Sequence, residues 1–243
     1  MFSRTGPFAF VVQSIMGFIA RASYLLGAKK LALRIQSRRQ AAAESYKRGC
    51  IDFFGRIVSS GAYDLLLDFG AHAGEQSFVA AKYMAVQAYE PDPRAIENSE
   101  EILKTAPEIN HSLRLFPCAV STRSGTEILN FSEIRPESTG GSTIATSKSG
   151  FKKGENVEVK TIDVLTFLEE VSNPRKTIVK MDIEGMEYPV LSRMLESPKF
   201  RNLGMVFVEF HERKLDRGLQ LGIKLTLNLW RHRMSRRRLI EWH

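Results

Sequence analysis

The run YDLLLDFGAHAGEQS, Tyr63 to Ser77, admits few folds. Leu65 to Phe69 is a short apolar run with one acid, Asp68, near its end. A run this continuous fits a strand buried on both faces, because a half-exposed strand would alternate apolar and polar side chains. Gly70 and Gly74 follow, and EQSFVAAKYM then reads as a helix. Strand, glycine turn and helix make the first half of a βαβ unit, whose helix carries the chain back to start a parallel neighbour.

The alternation repeats along the chain. AVQAYEPDP, from Ala85, reads as a second strand closed by Glu90 and Pro91, and PRAIENSEEILKTA as a helix stopped at Pro107. SLRLFPCAV reads as a third strand. TEILNFSE and NVEVKTID read as a pair of exposed strands around a polar loop, and VLTFLEEV as a helix. KTIVKMD is the fourth core strand, YPVLSRML the next helix and LGMVFVEFH the fifth strand. Strands alternating with helices predict an α/β fold: a doubly wound, mostly parallel sheet with helices on both faces. Ala41 to Ser60 reads as a further helix ending near Gly61. The 25 residues from Ser132 to Asn156 form a Gly-, Ser-, Thr- and Lys-rich loop, long enough to be either functional or disordered.

Charge divides the chain into three. Residues 1–49 carry nine Lys/Arg against one acid, and 219–243 carry six against one, whereas the body between them carries 20 against 25. The predicted organisation is a basic helical N-terminal arm (1–60), a body (61–215) and a basic C-terminal tail (216–243). An acidic body argues against a nucleic-acid-binding core, while the basic ends suit peripheral contact with a membrane or another polyanion. Phe8 to Ala20 is apolar but only 13 residues long, and a spanning helix needs roughly 20. It reads as an amphipathic surface helix in preference to a signal peptide, because Arg21 interrupts the cleavage-like Ala20-Arg21-Ala22. The two cysteines, Cys50 and Cys118, show neither metal-ligand spacing nor a disulfide framework, which suits the cytoplasm, with membrane association through the basic ends.

Asp68, Gly70 and Gly74 make a D-x-G-x-x-x-G pattern, which lacks the spacing of the dinucleotide fingerprint. Glycine there permits a tight turn and close approach of backbone to ligand. An acid at this strand end repels pyrophosphate but suits a cationic amine or sulfonium, and S-adenosylmethionine carries both. Glu90 closes the next strand, 20 residues beyond Gly70, where a carboxylate can accept both hydroxyls of a ribose. The bland alternative is a tight turn followed by an exposed acid. Further on, TIVKMDIEGMEYPVL leads an apolar strand into Asp182, Glu184 and Glu187. Helix capping by Glu187 and a salt bridge from Glu184 to Lys180 would explain two of these acids structurally. Otherwise they line a site at the carboxyl end of a parallel strand.

In order along residues 65–211, LLLDFGAHAG, AYEPDPRAIEN, KTIDVL, VKMDIEGMEYPVL and VFVEFH resemble the successive motifs of the FkbM family of S-adenosylmethionine-dependent methyltransferases. The resemblance implies a Rossmann-like class I methyltransferase fold and O-methylation of a hydroxyl on a sugar or secondary metabolite. It implies that Asp68, Gly70, His72 and Gly74 surround the methionine end of the cofactor and that Glu90 holds the ribose. His72 stands where the family commonly has asparagine, as a hydrogen-bond donor or simply a polar residue at the start of the helix. The chain length and basic arm also resemble a member that 2-O-methylates fucose on nodulation factors.

A sugar hydroxyl is a poor nucleophile until a base or a metal takes its proton. Asp182, Glu184 and His211 are the candidates. A divalent cation is the rival explanation for so many oxygens, but the spacing fixes no coordination geometry, so a metal-free base is preferred. Two other functions stay open: a nicotinamide-dependent oxidoreductase on a similar fold, and a non-catalytic membrane- or glycan-associated protein.

Overall fold

The computed structural model describes residues 48–106, 109, 112–132, 143–144, 153–211 and 239–242. The arm up to residue 47, most of the long loop and most of the basic tail lie outside the described residues. The chain divides into two compact units, residues 1–54 with His243 and residues 55–242, and the sheet belongs to the second. Helix α1 covers residues 48–58, and Gly61 follows at φ 69°, close to the predicted stop.

The elements then run in the predicted alternation. They are β1 (Leu65–Phe69), α2 (Glu75–Ala81), β2 (Ala85–Tyr89), α3 (Pro93–Thr105), β3 (Leu113–Phe116), β4 (Ala119–Ser121), β5 (Gly125–Ser132), β6 (Lys153–Asp163), α4 (Val164–Glu170), β7 (Thr177–Met181), α5 (Glu187–Met194), β8 (Met205–Glu209) and β9 (Leu239–Trp242). Six strands form one sheet in the order β3-β2-β1-β7-β8-β9, with every neighbouring pair parallel. Strand order reverses between β1 and β7, so the topological switch point lies at their carboxyl ends, where open α/β sheets bind ligands.

All five residues of β7 and four of five in β1 are buried, as expected of strands covered on both faces. On one face Leu67, Phe69, Val179, Met181, Val206 and Val208 join a core with residues of α4 and α5. Alternation turns Leu66 and Asp68 to the other face, where Ser77 of α2 meets Asp68. The caps are local: Asp92 accepts the Arg94 N–H at the start of α3, with Pro93 at its first position, and Asp163 accepts the Leu165 N–H at the start of α4.

Three expectations are corrected. The predicted third strand is two strands in different sheets. Pro117 has no N–H to continue the ladder, and Cys118 N–H turns back to Phe116 O at 2.9 Å, so β3 stays in the large sheet while β4 joins β6 and β5. The helix from Gly74 ends at Ala81, short of Met84. The stretch assigned to the basic C-terminal tail supplies β9, which pairs parallel with β8 from Val206↔Leu239 to Glu209↔Trp242.

The predicted pair of exposed strands forms as antiparallel β5 and β6, with Leu129 and Asn130 buried. From the long loop, Thr143 pairs with Asn130 through two backbone hydrogen bonds of 2.9 and 3.0 Å. Cys118 is a buried free thiol, and burial pushes it up to about 11, consistent with a small core residue. No helix among the described residues is long and apolar enough to cross a membrane.

Candidate functional site

The site grows from the way β1 ends. Gly70 and Ala71 both donate their N–H groups to Tyr89 O, at 2.9 and 3.1 Å, and Asp182 donates its own to Phe69 O at 2.9 Å. The ends of β1, β2 and β7 are thereby tied together just where the chain leaves the sheet. Gly70 has φ 79°, and a Cβ there would collide with the Asp182 carbonyl oxygen, so glycine is required on both counts. Gly74, at φ 88°, precedes α2, and a Cβ there would press on the Phe78 ring. Between them His72 is also left-handed, at φ 53°.

Glu90 sits immediately after β2 with only 7% of its surface exposed. One carboxylate oxygen accepts the His72 N–H at 2.8 Å and the other accepts the Asp92 N–H at 2.9 Å. Each oxygen keeps a second lone-pair site, so the carboxylate can brace the glycine loop and still accept hydroxyls. Burial pushes the Glu90 carboxyl up to about 7, against the two backbone N–H groups, which favour the charged form. The His72 side chain is half-exposed and lies 3.8 Å from Glu75, as a polar residue at the start of the helix would.

Asp68 does not face a ligand as a free charge. It is fully buried, accepts a hydrogen bond from Ser77 Oγ at 2.7 Å and pairs with Lys180 Nζ at 2.9 Å. The two residues are register partners on adjacent strands. Lys180 also donates to Gly70 O at 3.0 Å, so the pair clamps the start of the loop. Burial pushes the Lys180 ammonium down, but Asp68 and Asp182 outweigh it and hold the pKa above the usual value. The salt bridge considered between Lys180 and Glu184 is therefore corrected: Lys180 belongs to Asp68. The signal was a lone lysine inside the apolar run TIVKM, since buried lysines need a partner.

Asp182, Glu184 and His211 come together. Asp182 follows β7, Glu184 lies on the next turn at φ 52°, and His211 lies two residues beyond β8. His211 Nε2 is 3.8 Å from Asp182 Oδ1 and 3.5 Å from Glu184 Oε2. The imidazole is 5% exposed, while Asp182 and Glu184 are 31% and 20% exposed. Behind them stands Glu187, fully buried in the first turn of α5. Its carboxylate accepts N–H groups from Ile183 and Gly185 at 3.0–3.1 Å and lies 2.8 Å from His211 Nδ1. Glu187 therefore does not cap α5: its carboxylate braces the turn that precedes the helix and orients the histidine. A carboxylate accepts, so Nδ1 donates its hydrogen to Glu187, and Nε2 is the ring nitrogen turned toward Asp182 and Glu184. Sequence spacing cannot reveal the Glu187–His211 pair, whose members are 24 residues apart, one in the first turn of α5 and the other beyond β8. Thr143 adds a further contact, its hydroxyl donating to Glu184 O at 2.7 Å.

The arrangement offers two adjoining halves, a glycine loop with a ribose-compatible carboxylate and a histidine–carboxylate cluster, joined where Gly70 abuts Asp182. The chain is similar to the hexuronic acid methyltransferase AglP of Haloferax volcanii, at 27% identity over 148 residues. That alignment covers 61% of this chain and 56% of the relative, so the chain spans little more than half the relative's length. Among solved structures it is similar to the methyltransferase FkbM of Methylobacillus flagellatus, with TM-score 0.44 and 14% identity over 70% of this chain and 37% of that one. It is also similar to a precorrin-6y C5,15-methyltransferase of Geobacter metallireducens, with TM-score 0.37 and 13% identity over 73% and 69% of the two chains. The methyltransferase FkbM domain model matches residues 68–234, a span that holds the glycine loop, Glu90 and the whole acidic cluster, and the chain therefore belongs to the FkbM methyltransferase family.

Proposed function

We propose that the protein is an S-adenosylmethionine-dependent O-methyltransferase acting on a sugar hydroxyl of a glycolipid or oligosaccharide. The observation that carries this reading is the abutment of the glycine loop on the acidic cluster at the switch point. A cofactor held on one side and a hydroxyl deprotonated on the other would meet at that seam. The residues fit the cofactor: Gly70 and Gly74 let the backbone turn tightly at the end of β1, and each oxygen of Glu90 keeps a second acceptor site beside the loop. S-adenosylmethionine supplies an electrophilic methyl group on a sulfonium. Asp182, the most exposed member of the cluster, takes the proton of the acceptor hydroxyl as that oxygen bonds to the methyl carbon. Bound there, the cofactor's sulfur would keep the electron pair of the bond to the departing methyl group, so the transfer balances as a thioether and a methyl ether. Alignment of the two halves contributes several kcal/mol of barrier lowering, about the scale expected of fixed orientation.

A sugar acceptor is supported by the relative whose name specifies hexuronic acid. The finer reading, 2-O-methylation of fucose on nodulation factors, rests on chain length and the basic arm.

The test exploits Glu90. Glu90→Ala is expected to weaken S-adenosylhomocysteine binding by about 1–3 kcal/mol, since charge-assisted bonds to the ribose hydroxyls are lost. Hydroxyl donors favour the ionised carboxylate, so the bound form titrates lower than the free form near 7. Affinity should therefore rise as pH rises through 7, by roughly tenfold between pH 6 and pH 8. Calorimetric titration of Glu90→Gln should lose this pH dependence. Unchanged affinity in a folded Glu90→Ala protein would remove Glu90 from the site.

A further inference from the structure

We propose that Asp182, Glu184 and His211 bind one divalent cation of the first transition row, with manganese(II) preferred. These residues place one ligand atom each within 4.8 Å of one another. An octahedral cation with bonds of about 2.1 Å sets neighbouring donors roughly 3 Å apart. The 3.5 and 3.8 Å separations from His211 Nε2 therefore close onto an ion with side-chain shifts of under about 1 Å.

Three further features favour a ligand set over a chance gathering of acids. The buried imidazole is held by Glu187 through Nδ1, which leaves Nε2 as the donor atom, and a carboxylate behind a histidine is the usual support of a metal-bound ring. Glu184 is held in a left-handed conformation with its carbonyl fixed by Thr143 and the next N–H fixed by Glu187. Three carboxylates, those of Asp182, Glu184 and Glu187, converge on one imidazole. Two oxygens and one imidazole nitrogen suit manganese or iron better than calcium, and a face of the ion would remain for the acceptor. Sequence spacing alone left a metal behind a simple base. The placement of Nε2 reverses that order.

The role of the cation rests on the function proposed above. It would polarise the acceptor hydroxyl and ease its deprotonation, while the second Asp182 oxygen takes the proton.

Manganese(II) titrated into the purified full chain and followed by electron paramagnetic resonance tests the site. One saturable site per chain is expected, weakened at least about tenfold in Asp182→Asn and in Glu184→Gln, and about 10- to 100-fold in Glu187→Gln. S-adenosylhomocysteine binding should be retained in Glu184→Gln, which separates loss of the site from loss of the fold. Absence of saturable binding, or binding unaltered in both Asp182→Asn and Glu184→Gln, overturns the site. Chelation should abolish methyl transfer and manganese should restore it. Full transfer after chelation overturns the cation's role but leaves the methyltransferase reading standing. Failure to bind S-adenosylhomocysteine would sink that reading but leave the cation site intact.

Discussion

Asp182→Asn should reduce methyl transfer to a glycan acceptor by about 10²-fold or more, equivalent to about 2.7 kcal/mol of transition-state stabilisation. Affinity for S-adenosylhomocysteine should stay within about twofold, because the substitution acts on the acceptor's proton and not on the loop that holds the cofactor. The asparagine keeps the shape of the side chain, and the backbone contacts of residue 182 with Phe69 and Gly70 do not involve its carboxylate. A fall in kcat with an unchanged unfolding transition separates a chemical role from a structural one. Near-wild-type turnover would mean that the carboxylates at the end of β7 only shape the turn.

Lys180→Met should be the most damaging substitution for stability. Lys180 and Asp68 are 4% and 0% exposed, and each neutralises the other inside the sheet layer. Removing the ammonium leaves a buried carboxylate supported only by Ser77, a loss of about 3–5 kcal/mol for a broken buried pair. For a unit of this size that corresponds to a drop in Tm of roughly 6–20 °C. Adding Asp68→Asn to Lys180→Met should recover at least half of the loss, since the uncompensated charge disappears while Ser77 keeps a partner. The Gly70 carbonyl would still lack its Lys180 donor, so cofactor affinity should remain lowered in the double variant. A loss under about 1 kcal/mol in the single variant would show that water reaches the pair.

What could be read from the sequence was what depends on local pattern. Leu65–Phe69, Thr177–Met181 and Met205–Glu209 are continuous apolar runs, and each is a core strand. Gly70 and Gly74 announced the turn, and their positive φ angles account for the residue type. Asp182, Glu184 and His211 were grouped because a parallel sheet brings its strand ends to one edge, and they do lie together. What escaped depends on register and on distant pairing. Nothing local says that residue 68 faces residue 180, so Asp68 read as an open charge and Lys180 entered only as an alternative partner for Glu184. Glu187 read as a cap, because its contact with His211 exists only once β7 and β8 are neighbours. Pro117 was in plain view, but an apolar run on both sides of it disguised a change of sheet.

The central claim is that the seam between the glycine loop and the acidic cluster is a methyl-donor site. Isothermal titration of the purified full chain with S-adenosylhomocysteine, and separately with NAD, tests it most directly. One S-adenosylhomocysteine site per chain is expected, tighter at pH 8 than at pH 6 and weakened in Glu90→Ala, with no NAD binding at the same concentrations. Saturable NAD binding that depends on Glu90, without S-adenosylhomocysteine binding, would contradict the account and point to hydride transfer on the same sheet.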